Sequence, residues 1–157
     1  MNSKTVELDE LDRRILNALQ ENATRTNQEL AALVHASAPT CLRRVKRLTD
    51  SGVIARQVAL LSPEKVAAGL TALVEVTLDV QSSERLTEFE RLVGNEAAVQ
   101  QCYRVSPGPD FVLILQMADM AAYHALAHRL FANHANVRNV RSFFSVFRSK
   151  FETRILI

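Results

Sequence analysis

The hydrophobic period of this chain changes at Gly52, and that change limits what the chain can fold into. Before Gly52, Leu8, Leu11, Ile15 and Leu19 recur every three or four positions, the spacing of one covered stripe on a helix. Beyond it, Leu70, Ala72, Val74, Val76, Leu78 and Val80 alternate, the spacing of a strand with one covered face. A helical N-terminal part therefore precedes a part that contains a sheet.

Glycine and proline fall where the pattern changes and serve as punctuation. Asp9 can cap a first helix over about residues 9–22, with Asn22 near its end. Thr26 and Glu29 have capping-box spacing ahead of Leu30, Leu33 and Val34, which predicts a short second helix ending near His35. Ser37 can cap a third, with Pro39 tolerated in its first turn and Gly52 closing it. A strand is expected over 53–61, then a short helical turn, then a strand over 70–80. Ser83 opens a helix carrying Leu86, Phe89, Leu92 and Val93, which Gly94 stops. A strand follows over 99–106 with Val99, Tyr103 and Val105 on one face, and Pro107-Gly108-Pro109 turns the chain. The apolar run 111–117 is a strand. Tyr123, Leu126, Ala127, Leu130 and Phe131 make a helix stripe, and 137–147 returns to strand. Residues 68–147 thus read β-α-β-β-α-β, the ferredoxin-like order, with a further strand possible at 154–157.

A length of 157 residues allows one ordinary domain or two small ones and excludes a large multidomain enzyme. With 48% hydrophobic and 23% charged residues the chain should fold. No stretch approaches the roughly 18 apolar residues of a membrane helix, and residues 1–11 lack the apolar run of a signal peptide. The expected compartment is the cytoplasm. Cys41 and Cys102 match no metal or redox spacing, in keeping with a reducing environment.

Charge is informative only when divided along the chain. Residues 61–157 are balanced, whereas Ser37 to Arg56 holds Arg43, Arg44, Lys46, Arg47 and Arg56 against Asp50 alone. Three short helices with a tight connection at His35-Ala36 fit a helix-turn-helix, in which the third helix would read DNA. At about 100° per residue, Leu42, Val45 and Leu48 face the core, and Thr40, Arg43 and Arg47 lie opposite, flanked by Arg44 and Lys46. Arginine forks suit guanine edges and phosphates, and a helix fits the major groove. The plain alternative is a set of solvating charges on a surface helix; the caps, the three-helix arrangement and the local charge excess together favour DNA binding.

Enzyme constellations are missing from the sequence: it has no glycine-rich phosphate loop, no nucleophile elbow and no carboxylate cluster on one helix face. Catalysis is not expected. His124 and His128, four apart, could share a metal, but no third ligand stands at a recognisable spacing, and no metal is expected. Cys41 reads as a small buried hydrophobe, with a DNA contact as the alternative.

Three segments, Leu8-Asp9-Glu10-Leu11-Asp12-Arg13-Arg14-Ile15-Leu16, Leu42-Arg43-Arg44-Val45-Lys46-Arg47-Leu48 with Gly52-Val53-Ile54, and Val105-Ser106 to Asp110-Phe111, resemble the Lrp/AsnC family of transcription regulators, and the likeness covers nearly the whole chain. The resemblance implies an N-terminal helix-turn-helix, winged-helix-like, and a C-terminal ferredoxin-like domain that binds amino acids and assembles the protein as dimers, commonly octamers. It implies domains at 1–52 and 66–157, joined by a linker strand at 53–65. Ser37, Thr40, Arg43, Arg44 and Arg47 match recognition-helix positions. Arg104, Ser106, Asp110 and Met120 match the effector region at a dimer–dimer junction.

The chain departs from the family at Pro107 and Gly108, where the family usually has glycine and a polar or acidic residue. Two prolines remove two N–H donors, so donors for a ligand carboxylate fall to Arg104 or the amides of Ser106 and Gly108. Asp110 could accept the ligand ammonium and Met120 could line an apolar pocket, which makes leucine or methionine the expected effector. The alternative for Asp110 is a turn stabiliser. The rival for the whole chain is a ferredoxin-like metabolic enzyme or small-molecule carrier with an incidental basic helical arm.

Overall fold

The computed structural model describes residues 6–157; residues 1–5, part of the segment expected to lack the apolar run of a signal peptide, lie outside it. The chain divides into two compact units, one running to Leu60 and including Lys150–Ile157, the other spanning Leu61–Ser149.

The first unit holds α1 (Glu10–Glu21), α2 (Asn27–Leu33) and α3 (Ala38–Asp50). Each helix starts where a side-chain oxygen relieves an orphan N–H: Asp9 accepts from Asp12, Thr26 from Glu29 and Ser37 from Thr40. The first two are complete capping boxes, because Asp12 and Glu29 reach back to the cap amides. Ile15, Leu16, Ala18, Leu30, Ala31, Val34, Cys41 and Leu48 close one core, and Val53 and Ile54 pack on it after Gly52 turns the chain with φ +75°. Leu42 is a correction to the wheel: it is 60% exposed, and the core arc of α3 is centred on Cys41, Val45 and Leu48.

Two expected strands are absent. Residues 53–61 form no strand, and Val58, Leu60 and Leu61 are exposed. Residues 154–157 are not a strand either, and by their packing 150–157 group with the first unit. There the Gln20 amide holds the backbone of Ile155 at both ends, accepting its N–H at 2.7 Å and donating to its carbonyl at 3.0 Å.

The second unit opens with a 3-10 turn at Pro63–Val66 and continues with β1 (Leu70–Leu78), α4 (Ser83–Gly94), β2 (Val99–Arg104), β3 (Phe111–Met117), α5 (Met120–Ala127), a π-helical turn at His128–Ala132 and β4 (Val137–Phe144). The strand order is β2-β3-β1-β4, every neighbour antiparallel. Both helices cover one face, where Phe89, Val93, Tyr123, Leu126, Leu130 and Phe131 meet the inward residues of β1 and β3. Fully burying a side chain of this size contributes about 1.5–3 kcal/mol. β1 stops at Leu78, leaving Val80 exposed, and β4 at Phe144, leaving Phe147 82% exposed.

In β2 the expected face does not hold. Val99 pairs with Leu115 and Cys102 with Leu113, an irregularity that makes Gln100 the extra residue. Val99 and Cys102 therefore share the covered side, and Tyr103 is exposed. Phe143 and Phe144 likewise part company: Phe144 packs edge-on to Tyr123 at 4.8 Å, while Phe143 stands beside Leu73 on the uncovered face.

Candidate nucleic-acid interface and effector loop

Helix α3 carries four cations, and the structure sorts them. Arg43 and Lys46 are exposed and make no ion pair among the described residues. Arg44 is turned toward α1: its Nη1 lies 2.5 Å from Asp9 Oδ2 and 3.3 Å from Asp12 Oδ1. Arg47 Nη2 donates to Asp12 Oδ2. Arg44 and Arg47, expected on the side of α3 away from the core, are thus ion-paired, Arg47 staying exposed, and the positive patch counted along the sequence is reduced in space by two acids at the start of α1. The cause is angular. Arg44 lies between Leu48 and Arg47 on the wheel, on the side of α3 that faces the start of α1.

Asp12 is fully buried, and its carboxylate also accepts the Asp9 amide at 3.1 Å. Two capping carboxylates thus hold two guanidiniums. The Asp12 backbone N–H, then the Arg44 guanidinium, holds the Asp9 carboxyl below its ordinary value; Asp9 in turn raises Arg44. Sequence reasoning missed both acids as part of this surface, although the Asp9-Asp12 spacing was visible. Ser37 is occupied as the N-cap, its hydroxyl 2.8 Å from that of Thr40. Cys41 is fully buried beneath the helix, and burial raises its thiol.

In the second unit the loop between β2 and β3 turns through a cis Ser106-Pro107 bond and Gly108 at φ +120°. Asp110 Oδ2 accepts the Leu78 amide at 2.7 Å, and Asp110 N–H donates to Val76. Arg104 is held by Glu90, with contacts of 2.9 and 2.8 Å. The amides of Ser106 and Gly108 find no acceptor among the described residues. Met120, 40% exposed, is not brought to this loop within one chain: it follows the far end of β3, roughly 20 Å away at 3.3 Å per residue. A groove of about 700 Å³ between α5 and β4 is lined by Tyr123, His124, Ala127, His128, Phe131 and Val140 among others, and by none of the five expected effector residues. Among the described residues no three His, Cys, Asp or Glu side chains form a metal group. No helix among them is long and apolar enough to cross a membrane.

A capped three-helix unit presenting a basic helix, followed by an antiparallel β-α-β-β-α-β unit, defines a two-domain DNA-binding regulator. Residues 8–55 match the winged helix-turn-helix DNA-binding model, and residues 71–155 match the Lrp/AsnC ligand binding domain. The chain belongs to the Lrp/AsnC family and is a DNA-binding transcription regulator with a ligand-binding domain. It is 40% identical over 150 residues to an uncharacterized HTH-type transcriptional regulator of Haemophilus influenzae, covering 96% of this chain and 89% of that protein. It is 33% identical to the leucine-responsive regulatory protein of Escherichia coli, over 96% and 92% of the two chains. Among solved structures, a transcriptional regulator from Neisseria meningitidis in complex with L-methionine superposes with a TM-score of 0.89 at 33% identity, covering 96% and 97%.

Proposed function

We propose that this protein binds promoter DNA in the cytoplasm through α3 and responds to an apolar amino acid, leucine or methionine, bound in its second unit. The methionine complex of the Neisseria relative, which is similar over nearly the whole chain, is the observation that carries the effector reading. On α3, Thr40, Arg43 and Arg47 are the residues proposed to reach DNA, with Ser37 at the helix start and Arg44 set back against α1. In the effector loop, the open amides of Ser106 and Gly108 suit the ligand carboxylate, and the second Asp110 oxygen suits its ammonium. Arg104, paired with Glu90, has a weaker claim, and Met120 joins the site only from another subunit.

Assembly follows from this. Leu73, Tyr103 and Phe143 are exposed on the sheet face that no helix covers, and a second copy is proposed to cover them, with dimers combining into an octamer. Light scattering that gave a 17.5 kDa species at micromolar concentration would overturn it. The DNA reading is tested by salt-titrated binding to a promoter fragment and to random duplex. Arg43→Ala should cost roughly 1–3 kcal/mol on the former. Calorimetry with leucine, methionine, asparagine and lysine tests the effector; preference for lysine or asparagine would defeat the apolar choice. No activity of a metabolic enzyme is proposed, since the named relatives are transcriptional regulators.

A further inference from the structure

We infer that Asp12 is a positioning residue for DNA reading, acting through Arg47 and Arg44 and so dividing the cations of α3 into readers and a brace. This rests on the reading of α3 as the helix that enters the groove. Asp12 sits on α1, yet its carboxylate is fully buried between the two helices and is met by Arg47, by Arg44 at 3.3 and 3.4 Å, and by the Asp9 amide. A carboxylate withdrawn from water requires such partners, and the partners are in turn fixed by it.

What the bond does to each arginine differs. The Arg44 side chain is 22% exposed, engages both acids, and leaves its Nε buried without a partner. It is turned toward α1. The Arg47 side chain is 47% exposed and gives only Nη2 to Asp12. A guanidinium carries five N–H donors in a rigid plane, so the remaining edge projects beside Arg43, one turn earlier on the same face. An arginine locked in orientation before DNA arrives loses little rotamer freedom on binding and presents its fork at one angle. The same two acids lower the positive potential of the helix, which weakens attraction to any phosphate backbone. Asp12 therefore raises discrimination between sequences while lowering indiscriminate affinity.

The test uses the full-length protein with two probes, a duplex selected by the wild type from a random pool and an unselected duplex of equal length. Asp12→Asn should reduce the ratio of the two affinities about tenfold, the order expected for one arginine–base contact, while affinity for the unselected duplex holds or rises. Asp12→Glu, which keeps the charge, should recover part of the ratio. Parallel loss on both probes, or an unchanged ratio, would mean a purely structural role and overturn the inference. Should Asp12→Asn fail to fold, side-chain NMR on the wild type decides. Arg44 and Arg47 should show hindered guanidinium rotation without DNA and Arg43 should not, with signals assigned from single Arg→Lys variants; free rotation at Arg47 overturns the inference. Arg43→Ala separates the two levels. If it leaves both affinities unchanged, the recognition-helix reading falls and this inference with it; if it weakens binding while Asp12→Asn keeps the ratio, only the inference falls.

Discussion

The Asp110 carboxylate accepts the Leu78 amide at 2.7 Å, so the residue proposed to meet the effector ammonium also ties the β2–β3 loop to the end of β1. Asp110→Ala would remove that acceptor and strand a part-buried N–H, at a cost of about 1–3 kcal/mol. Asp110→Asn keeps an oxygen there and should cost less than about 1 kcal/mol. Urea unfolding at neutral pH separates the two variants, and equal losses would contradict the acceptor role. Because Asn carries no charge, loss of methionine binding heat in the well-folded Asn variant would report on the ammonium contact alone.

Acid should loosen the first unit. Hydrogen bonds from backbone amides, Asp12 to Asp9 and Thr26 to Glu29, are the chief cause holding these two carboxyls below their ordinary values. A carboxyl depressed in the folded state contributes stability that is complete above its unfolded value and lost as the pH falls through its folded value. The contribution should therefore be intact at about pH 6 and decline below about pH 4. Asn and Gln accept the same hydrogen bonds without titrating, so Asp9→Asn with Glu29→Gln should flatten the acid limb in urea midpoints measured across this range. An unchanged slope would place the acid sensitivity elsewhere.

Two residues with positive φ should respond in opposite directions. His35 closes the turn between α2 and α3 at φ +53°, where a Cβ is strained, and Gly52 ends α3 at +75°. His35→Gly should raise stability by up to about 1 kcal/mol, and Gly52→Ala should lower it by about 1 kcal/mol although open space surrounds the added methyl. Thermal melts with both variants at one pH decide; a gain at Gly52→Ala would show that the turn relaxes.

Phe89 is fully buried, with its ring 4.9 Å from that of Phe111 and edge-on to His134 at 5.7 Å. Phe89→Ala should cost about 3–5 kcal/mol, because Phe111 of the sheet and His134 flank the ring and limit collapse into the space left. Phe143→Ala, on the uncovered face, should cost far less in the monomer and should instead weaken assembly. Unfolding and sedimentation measured on both variants would separate core from interface.

The elements legible in the sequence are those whose cause is local. Asp9, Thr26 and Ser37 cap the helices they were expected to cap, and the alternation from Leu70 to Leu78 is the covered face of β1. Capping depends on residues three apart and pleating on residues two apart, so neighbours in sequence suffice. The β-α-β-β-α-β order followed from the same periodicities. The partners of Arg44 and Arg47 did not, because a helical wheel says which residues share an angle and not which foreign helix faces it. Asp12 lies 32 and 35 positions away from them. Met120 and Asp110 flank one strand and so look adjacent in sequence, yet the extended length of β3 separates them. Likewise 53–61 has strand composition but pairs with no strand among the described residues, and Gln100 shifts β2 because the register is set by β3. The sequence by itself determined the helices, the strands and their order, since backbone hydrogen bonding and side-chain period act over a few residues. Tertiary structure alone decided which charges of α3 are ion-paired, since ion pairs form between surfaces brought together by burial of the core.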